Sequence, residues 1–197
     1  TREGSGSGVK VENGGTFNMY GGTISGNTTT QQGGGVYVYG GNSKFNMYGG
    51  TITDNTADLT DGGVGVYRAA KFEMNNSASV KDNTANQGGG VYVEGGTFTM
   101  NNGTIGGGKD DANTANQGGG VYASSGTFTM NDGRITGNHN NGVFVHDSAT
   151  FTVSRTPTVT GNTNTTNSAA SNVYLMGSAY ITIGEFGLTD GASIGVT

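Results

Sequence analysis

The groups in this 197-residue chain whose spacing could do chemistry are paired carboxylates, a recurrent aromatic and a set of corner asparagines. Asp54 and Asp82 stand two residues after Ile52 and Val80, in otherwise matching phrases. If those phrases stack as neighbouring strands, the two carboxylates lie about 4.8 Å apart. Such a pair could do acid–base work on a polysaccharide, and an enzyme of that kind would want a basic residue nearby. Lys81 is adjacent in sequence, but strand alternation turns it to the other face, and Gly26, Gly137 and Gly161 occupy the same place in other repeats. A solvated pair is therefore the preferred reading, and no catalytic residue is expected. Asp58 with Asp61, and Asp110 with Asp111, could take a calcium ion. Their spacing fits neither an EF-hand nor a glycine-aspartate calcium roll, so no cofactor is expected. His139 and His146 have no partner at metal-ligand spacing, and Arg68, Arg134 and Arg155 do not group.

The aromatics are more regular. A Gly-Val-aromatic opening appears at Gly35-Val36-Tyr37, Gly65-Val66-Tyr67, Gly90-Val91-Tyr92, Gly120-Val121-Tyr122 and Gly142-Val143-Phe144, with Val173-Tyr174 a weaker copy. If the valines face a core, Tyr37, Tyr67, Tyr92, Tyr122, Phe144 and Tyr174 form an outward column. A flat aromatic stripe suits sugar rings or a protein partner. The competing reading is that the rings stack to stabilise a sheet, or lie under loops. A polar corner of variable length precedes each opening, and insertions in solenoids often mark the binding face. The junction of corner and aromatic column is thus the candidate ligand-binding site. Thr97/Thr99, Thr127/Thr129 and Thr150/Thr152 raise ice binding as a third reading, but Lys44/Asn46 and Lys71/Glu73 interrupt that array.

The elements that must position these residues follow from the repeat. From Val9 to Val173 the openings step by 27, 30, 25, 30, 22 and 30 residues, a period that points to a solenoid. Each repeat carries three short apolar alternations, the strand signal, and no helical period persists for two turns. The first alternation begins at Val9, Val36, Val66, Val91, Val121, Val143 and Val173. The second is Phe17/Met19, Phe45/Met47, Phe72/Met74, Phe98/Met100, Phe128/Met130, Phe151/Val153 and Ile181/Ile183. The third is Ile24, Ile52, Val80, Ile105, Ile135, Val159 and Leu188. Two tight corners and one variable corner predict an all-β, parallel β-helix of about seven coils of 22–30 residues, three strands to a coil. The crossover preference makes it right-handed. Asn27, Asn55, Asn83, Asn138 and Asn162 each follow the third apolar residue by three positions, with Asn113 the delayed equivalent in coil four. Stacked, they would form an amide ladder.

Composition narrows the classes. Hydrophobic residues are 31% of the chain and net charge is only −5. The apolar residues hold fixed places in a repeat, which argues against disorder. Forty glycines without a three-residue period and a single proline exclude collagen. Nine Lys plus Arg, with no basic cluster, argue against nucleic acid, and no apolar run is long enough to insert in a membrane. The chain opens without methionine and stops in mid-pattern. It reads as one β-helix domain over 1–197, flexible over 1–7 and coiled over 8–197, cut from a longer protein whose adjacent repeats would stack on it.

The run Ile52-Thr53-Asp54-Asn55-Thr56-Ala57 before Gly62-Gly63, and Val80-Lys81-Asp82-Asn83-Thr84-Ala85 before Gly88-Gly89-Gly90-Val91, resembles the paired F-x-x-N and G-G-A-I repeats of polymorphic outer membrane proteins and related bacterial adhesin passengers. Ile or Val stands where that family has Phe, and Gly-Val-Tyr where it has Ala-Ile. The array also resembles the repeats of large surface proteins of anaerobic bacteria, within the pectate-lyase-like right-handed β-helix class. The resemblance implies a secreted or cell-surface protein, an adhesin or stalk whose partners are host or environmental glycans or glycoproteins. The alternative is a polysaccharide-active lyase or hydrolase using Asp54 and Asp82.

Overall fold

Strands of three to eight residues with alternating apolar positions cannot bury one face alone, so each coil lays its strands on those of its neighbours. The computed structural model describes residues 8–197; the expected flexible segment 1–7 lies outside the described residues. It is an all-β parallel solenoid with three seven-stranded sheets. The first sheet runs from Val9–Val11 to Val173–Leu175, the second from Thr16–Met19 to Ile181–Leu188, and the third from Thr23–Ser25 to Ser193–Ile194. A two-stranded sheet, Thr28–Thr29 with Thr56–Ala57, forms at the variable corner. Among the described residues there is no α-helix, and one 3₁₀ turn, Lys109–Asp111, lies in the coil-four insertion.

In-register stacking puts like on like. Phe17, Phe45, Phe72, Phe98, Phe128 and Phe151 form one column, with successive ring centroids 4.8–5.1 Å apart and the planes nearly parallel. The last five are fully buried. Met47, Met74, Met100 and Met130, also fully buried, stack beside them, and the valines of the first sheet close the core.

Two registers differ from the sequence reading. In coil three the opening is Gly63-Val64-Gly65, not Gly65-Val66-Tyr67. Val64 pairs with Val36 and Val91, and Val66 with Val38 and Val93. The inward pair Val64/Val66 takes precedence over the local Gly-Val-Tyr match because the alternative register, two residues on, would bring Arg68 to the inward position held by Val38 and Val93. In the last coil the third strand is Ser193–Ile194, with Ile194 opposite Val159. Leu188 instead ends the second-sheet strand, beyond an irregularity after Val153, and is 45% exposed.

Phe98→Asp places a charge in a column with no polar partner. We expect it to destabilise the fold by at least about 4 kcal/mol, read as loss of the β signal in circular dichroism at temperatures where the parent is folded. Melting unchanged from the parent would mean that Phe98 does not face the core.

Candidate functional site

The corner asparagines form a continuous buried ladder. Nδ2 of Asn27 donates to Oδ1 of Asn55 at 2.8 Å, and the pattern repeats through Asn83, Asn113, Asn138 and Asn162 at 2.9–3.0 Å. Each Oδ1 also accepts the backbone N–H of the preceding ladder residue, and from Asn55 on each Nδ2 also reaches a third-strand carbonyl one coil back, such as Ile52 O for Asn83. The ladder gains a member that spacing did not reveal: Asn162 donates to Asn172 Oδ1 at 3.2 Å. The insertion between them folds back on itself through Asn164 N–H to Ala169 O, so a ladder hydrogen bond clamps its base.

The aromatic column is continuous but covered. Tyr37, Tyr67, Tyr92, Tyr122 and Phe144 are only 3–6% exposed and form a second apolar cluster outside the first sheet. The expected exposed ligand-binding stripe is thus mostly absent. The variable corner covers it, since that corner is itself stacked: Gln32, Thr60, Gln87 and Gln117 pair in parallel from coil to coil. Gly88 and Gly118, both left-handed, lie so close to the rings that a Cβ would come within 2.7–2.8 Å of Tyr92 and Tyr122 Cβ. Glycine at that corner is the room the aromatic needs. Burial holds the Tyr92 phenol up at about 12 and raises that of Tyr122.

Coil three exchanges the two roles. The left-handed corner position there is Asp61, and the strand position that carries an aromatic elsewhere is Gly65. A Cβ on Gly65 would collide with Asp61 Oδ2. Tyr67, two residues on, leans back over Gly65 and restores the column, its ring centroid 4.9 Å from Tyr37 and 5.6 Å from Tyr92. Its hydroxyl donates to Asp61 Oδ1, which also accepts from Thr60 Oγ1 at 2.6 Å, whereas the buried Asp61 Oδ2 has no partner. Desolvation pushes the Asp61 carboxyl up to about 7, against the hydrogen bonds from Thr60, Tyr67 and the Gly33 amide. Burial, and then the neighbouring Asp61, raise the Tyr67 phenol.

Tyr174, the ring of the seventh coil, is 43% exposed. It stacks on Phe144 with centroids 5.0 Å apart. Beside it lies a cleft of about 440 Å³ whose lining includes Phe144, Tyr174, Asn141, Asn164, Asn167 and Thr197. Asn164 and Asn167 accept backbone N–H groups of their own turn through Oδ1. Among the described residues their Nδ2 groups have no protein acceptor. The cleft falls in the size range of small-ligand sites.

The carboxylates gather elsewhere. Asp54 and Asp82 stack on adjacent coils, Asp54 N–H donating to Asp82 O at 2.9 Å. The coil-four insertion brings in a third member, Asp111, whose carbonyl accepts from Asp82 N–H. Lys81 does not turn away: its Nζ lies 2.6 Å from Asp111 Oδ1. That bond raises Lys81 and lowers Asp111, while partial burial and then Asp54 raise Asp82. Asp58 is exposed and Asp61 buried, and Asp110 is exposed beside Asp111. Among the described residues no group of three or more His, Cys, Asp and Glu could hold a metal. His139 lies 3.3 Å from Thr114 Oγ1, and His146 pairs with Asp147 at 2.6 Å. The threonine pairs lie on the outer face of the second sheet, in columns with Lys44, Lys71, Asn46 and Glu73.

No protein-family model, curated protein or solved structure matches the chain.

The coil-three exchange predicts strong coupling between its positions. Gly65→Tyr alone should destabilise by about 2 kcal/mol or more through overpacking. Adding Asp61→Gly together with Tyr67→Glu, glutamate being the residue opposite Tyr67 in coil four, should recover most of that loss. Additive effects of these substitutions in a mutant cycle would contradict the exchange.

Proposed function

We propose that this chain is a rigid, non-catalytic rod of a secreted or surface-displayed bacterial protein, and that it recognises glycans at the cleft beside Tyr174. The rod reading draws on three parallel sheets, in register but for one irregularity after Val153, over a continuous core. Seven coils at ~4.8 Å per rise give roughly 30 Å of length. The recognition reading rests on one observation: Tyr174 shares a cleft of about 440 Å³ with Asn164 and Asn167 of the coil-six insertion, whose Nδ2 groups have no protein acceptor among the described residues. A pyranose ring presents an apolar C–H face and a rim of hydroxyls. Tyr174 would take the face, and the two amides would take hydroxyl oxygens on the rim. The insertion supplying the amides is held at its base by Asn162 and Asn172, so the site is preorganised and needs little ordering on binding.

The polysaccharide-active alternative would run through Asp54 and Asp82. The cation nearest to them, Lys81, is already neutralised by Asp111. The hollow nearest the coil-four insertion, about 340 Å³, is lined by glycines, threonines and His139, with no carboxylate.

Retention on immobilised glycans and mucin-type glycoproteins tests the proposal. Tyr174→Ala, or Asn164→Ala with Asn167→Ala, should weaken retention about tenfold, the loss of roughly 1.4 kcal/mol. Tyr20→Ala, an exposed ring 75% accessible at a different corner, should leave it unchanged. Retention insensitive to Tyr174, no retention by the parent, or release of cleaved sugar would each overturn the reading.

A further inference from the structure

We infer that Asp61 makes coil three a pH-responsive joint, at which ionisation of one buried carboxyl loosens the corner segment over the aromatic column. Asp61 is fully buried, one of its oxygens has no partner, and it sits between Gly65 and the Tyr67 ring at the contact that shields the column. The other corners at this level carry Gly33, Gly88 and Gly118 in the same left-handed conformation, so the titratable group occurs where its neighbours have none.

Burial favours the neutral acid and outweighs the hydrogen bonds donated to the carboxyl. Tyr67 and Thr60 donate to Oδ1, the Gly33 amide faces the carboxyl from coil two, and Tyr37 and Tyr92 flank the Tyr67 ring. The charged group acting on it from coil four is Glu94, itself an acceptor for Tyr92 at 3.2 Å. Every charge that acts on the site is negative. Arg68, the cation closest in sequence, lies instead over the Tyr39 ring at 5.6 Å. Ionisation therefore puts an uncompensated charge in an apolar layer, and the cheapest relief is for residues 58–62 to carry Asp61 out to water. Such a movement would expose Tyr67 and the neighbouring ring faces of Tyr37 and Tyr92. The covered column would then become the flat stripe that is hidden in the closed state.

The folded value, about 7, lies above the ordinary 3.8. The unfolded chain gives up this proton first, so the contribution of Asp61 to stability is complete below 3.8, falls as pH rises to about 7, and is then level.

The test follows the Asp61 carboxyl carbon by NMR in the parent protein, with a chelator present, alongside thermal melting of the parent and of Asp61→Asn. Asparagine tolerates the left-handed backbone and cannot ionise. The carboxyl signal should titrate near 7. Amide exchange at residues 58–67 should quicken through the same midpoint, while the Phe98 coil stays protected. Asp61→Asn should abolish the fall in melting temperature over that interval. A carboxyl titrating near 3.8, or exchange at 58–67 indifferent to pH, would overturn the proposal even if the variant failed to fold.

Discussion

A single file of carboxamides sets the geometry of this solenoid. From Asn55 to Asn162 each side chain uses its oxygen twice and its NH₂ group at least twice within a space closed to water. Removing one member strands donors and acceptors on both adjacent coils, at about 1–3 kcal/mol for each buried group left unpaired. The ladder therefore holds the third corner to one rise and one register, and the three sheets inherit both. It also explains which insertions the fold accepts. Coil four adds residues 107–111, coil six those between Asn162 and Asn172, and in both the chain returns an asparagine to the file before the next strand. Length between ladder positions is free; the return is not.

The first sheet differs from the other two because it is buried on both faces, as parallel sheets usually are. Its inner face supplies valines to the core, and its outer face supplies rings to a layer roofed by the stacked corner. The second and third sheets turn Thr, Ser, Asn and Lys to solvent. Functional character thus collects on one side, where a roof of polar corners meets an aromatic layer. The roof carries an ionisable group at Asp61, a local departure from a repeat that otherwise keeps the column sealed.

Most of the fold was legible because alternation, spacing and residue type agreed. Phe and Met columns fall in register as read, and so do the corner asparagines from Asn27 to Asn162. The failures occurred where a local phrase competed with the longer pattern. Gly65-Val66-Tyr67 copies the opening, yet Val64/Val66 are the inward pair; equalising the steps around it, from Val36 to Val64 and from Val64 to Val91, would have shown this. Leu188 lay at the expected distance, but the second strand ran on through it to Ile181–Leu188. Exposure of the aromatic column could not be read from spacing, since it depends on where the variable corner folds. Neither Asn172 nor Asp111 could be placed, because each joins its column only after an insertion of irregular length.

The claim that the ladder fixes the solenoid is tested most directly by hydrogen exchange of its own side chains. The Nδ2 protons of Asn55, Asn83, Asn113 and Asn138, followed by NMR under native conditions, should exchange only through global unfolding, with the same free energy as the most protected amides of the Phe98 strand. Exchange at rates comparable to the exposed amide of Asn102 would show that the file opens locally, and that the core columns alone hold the coils in register.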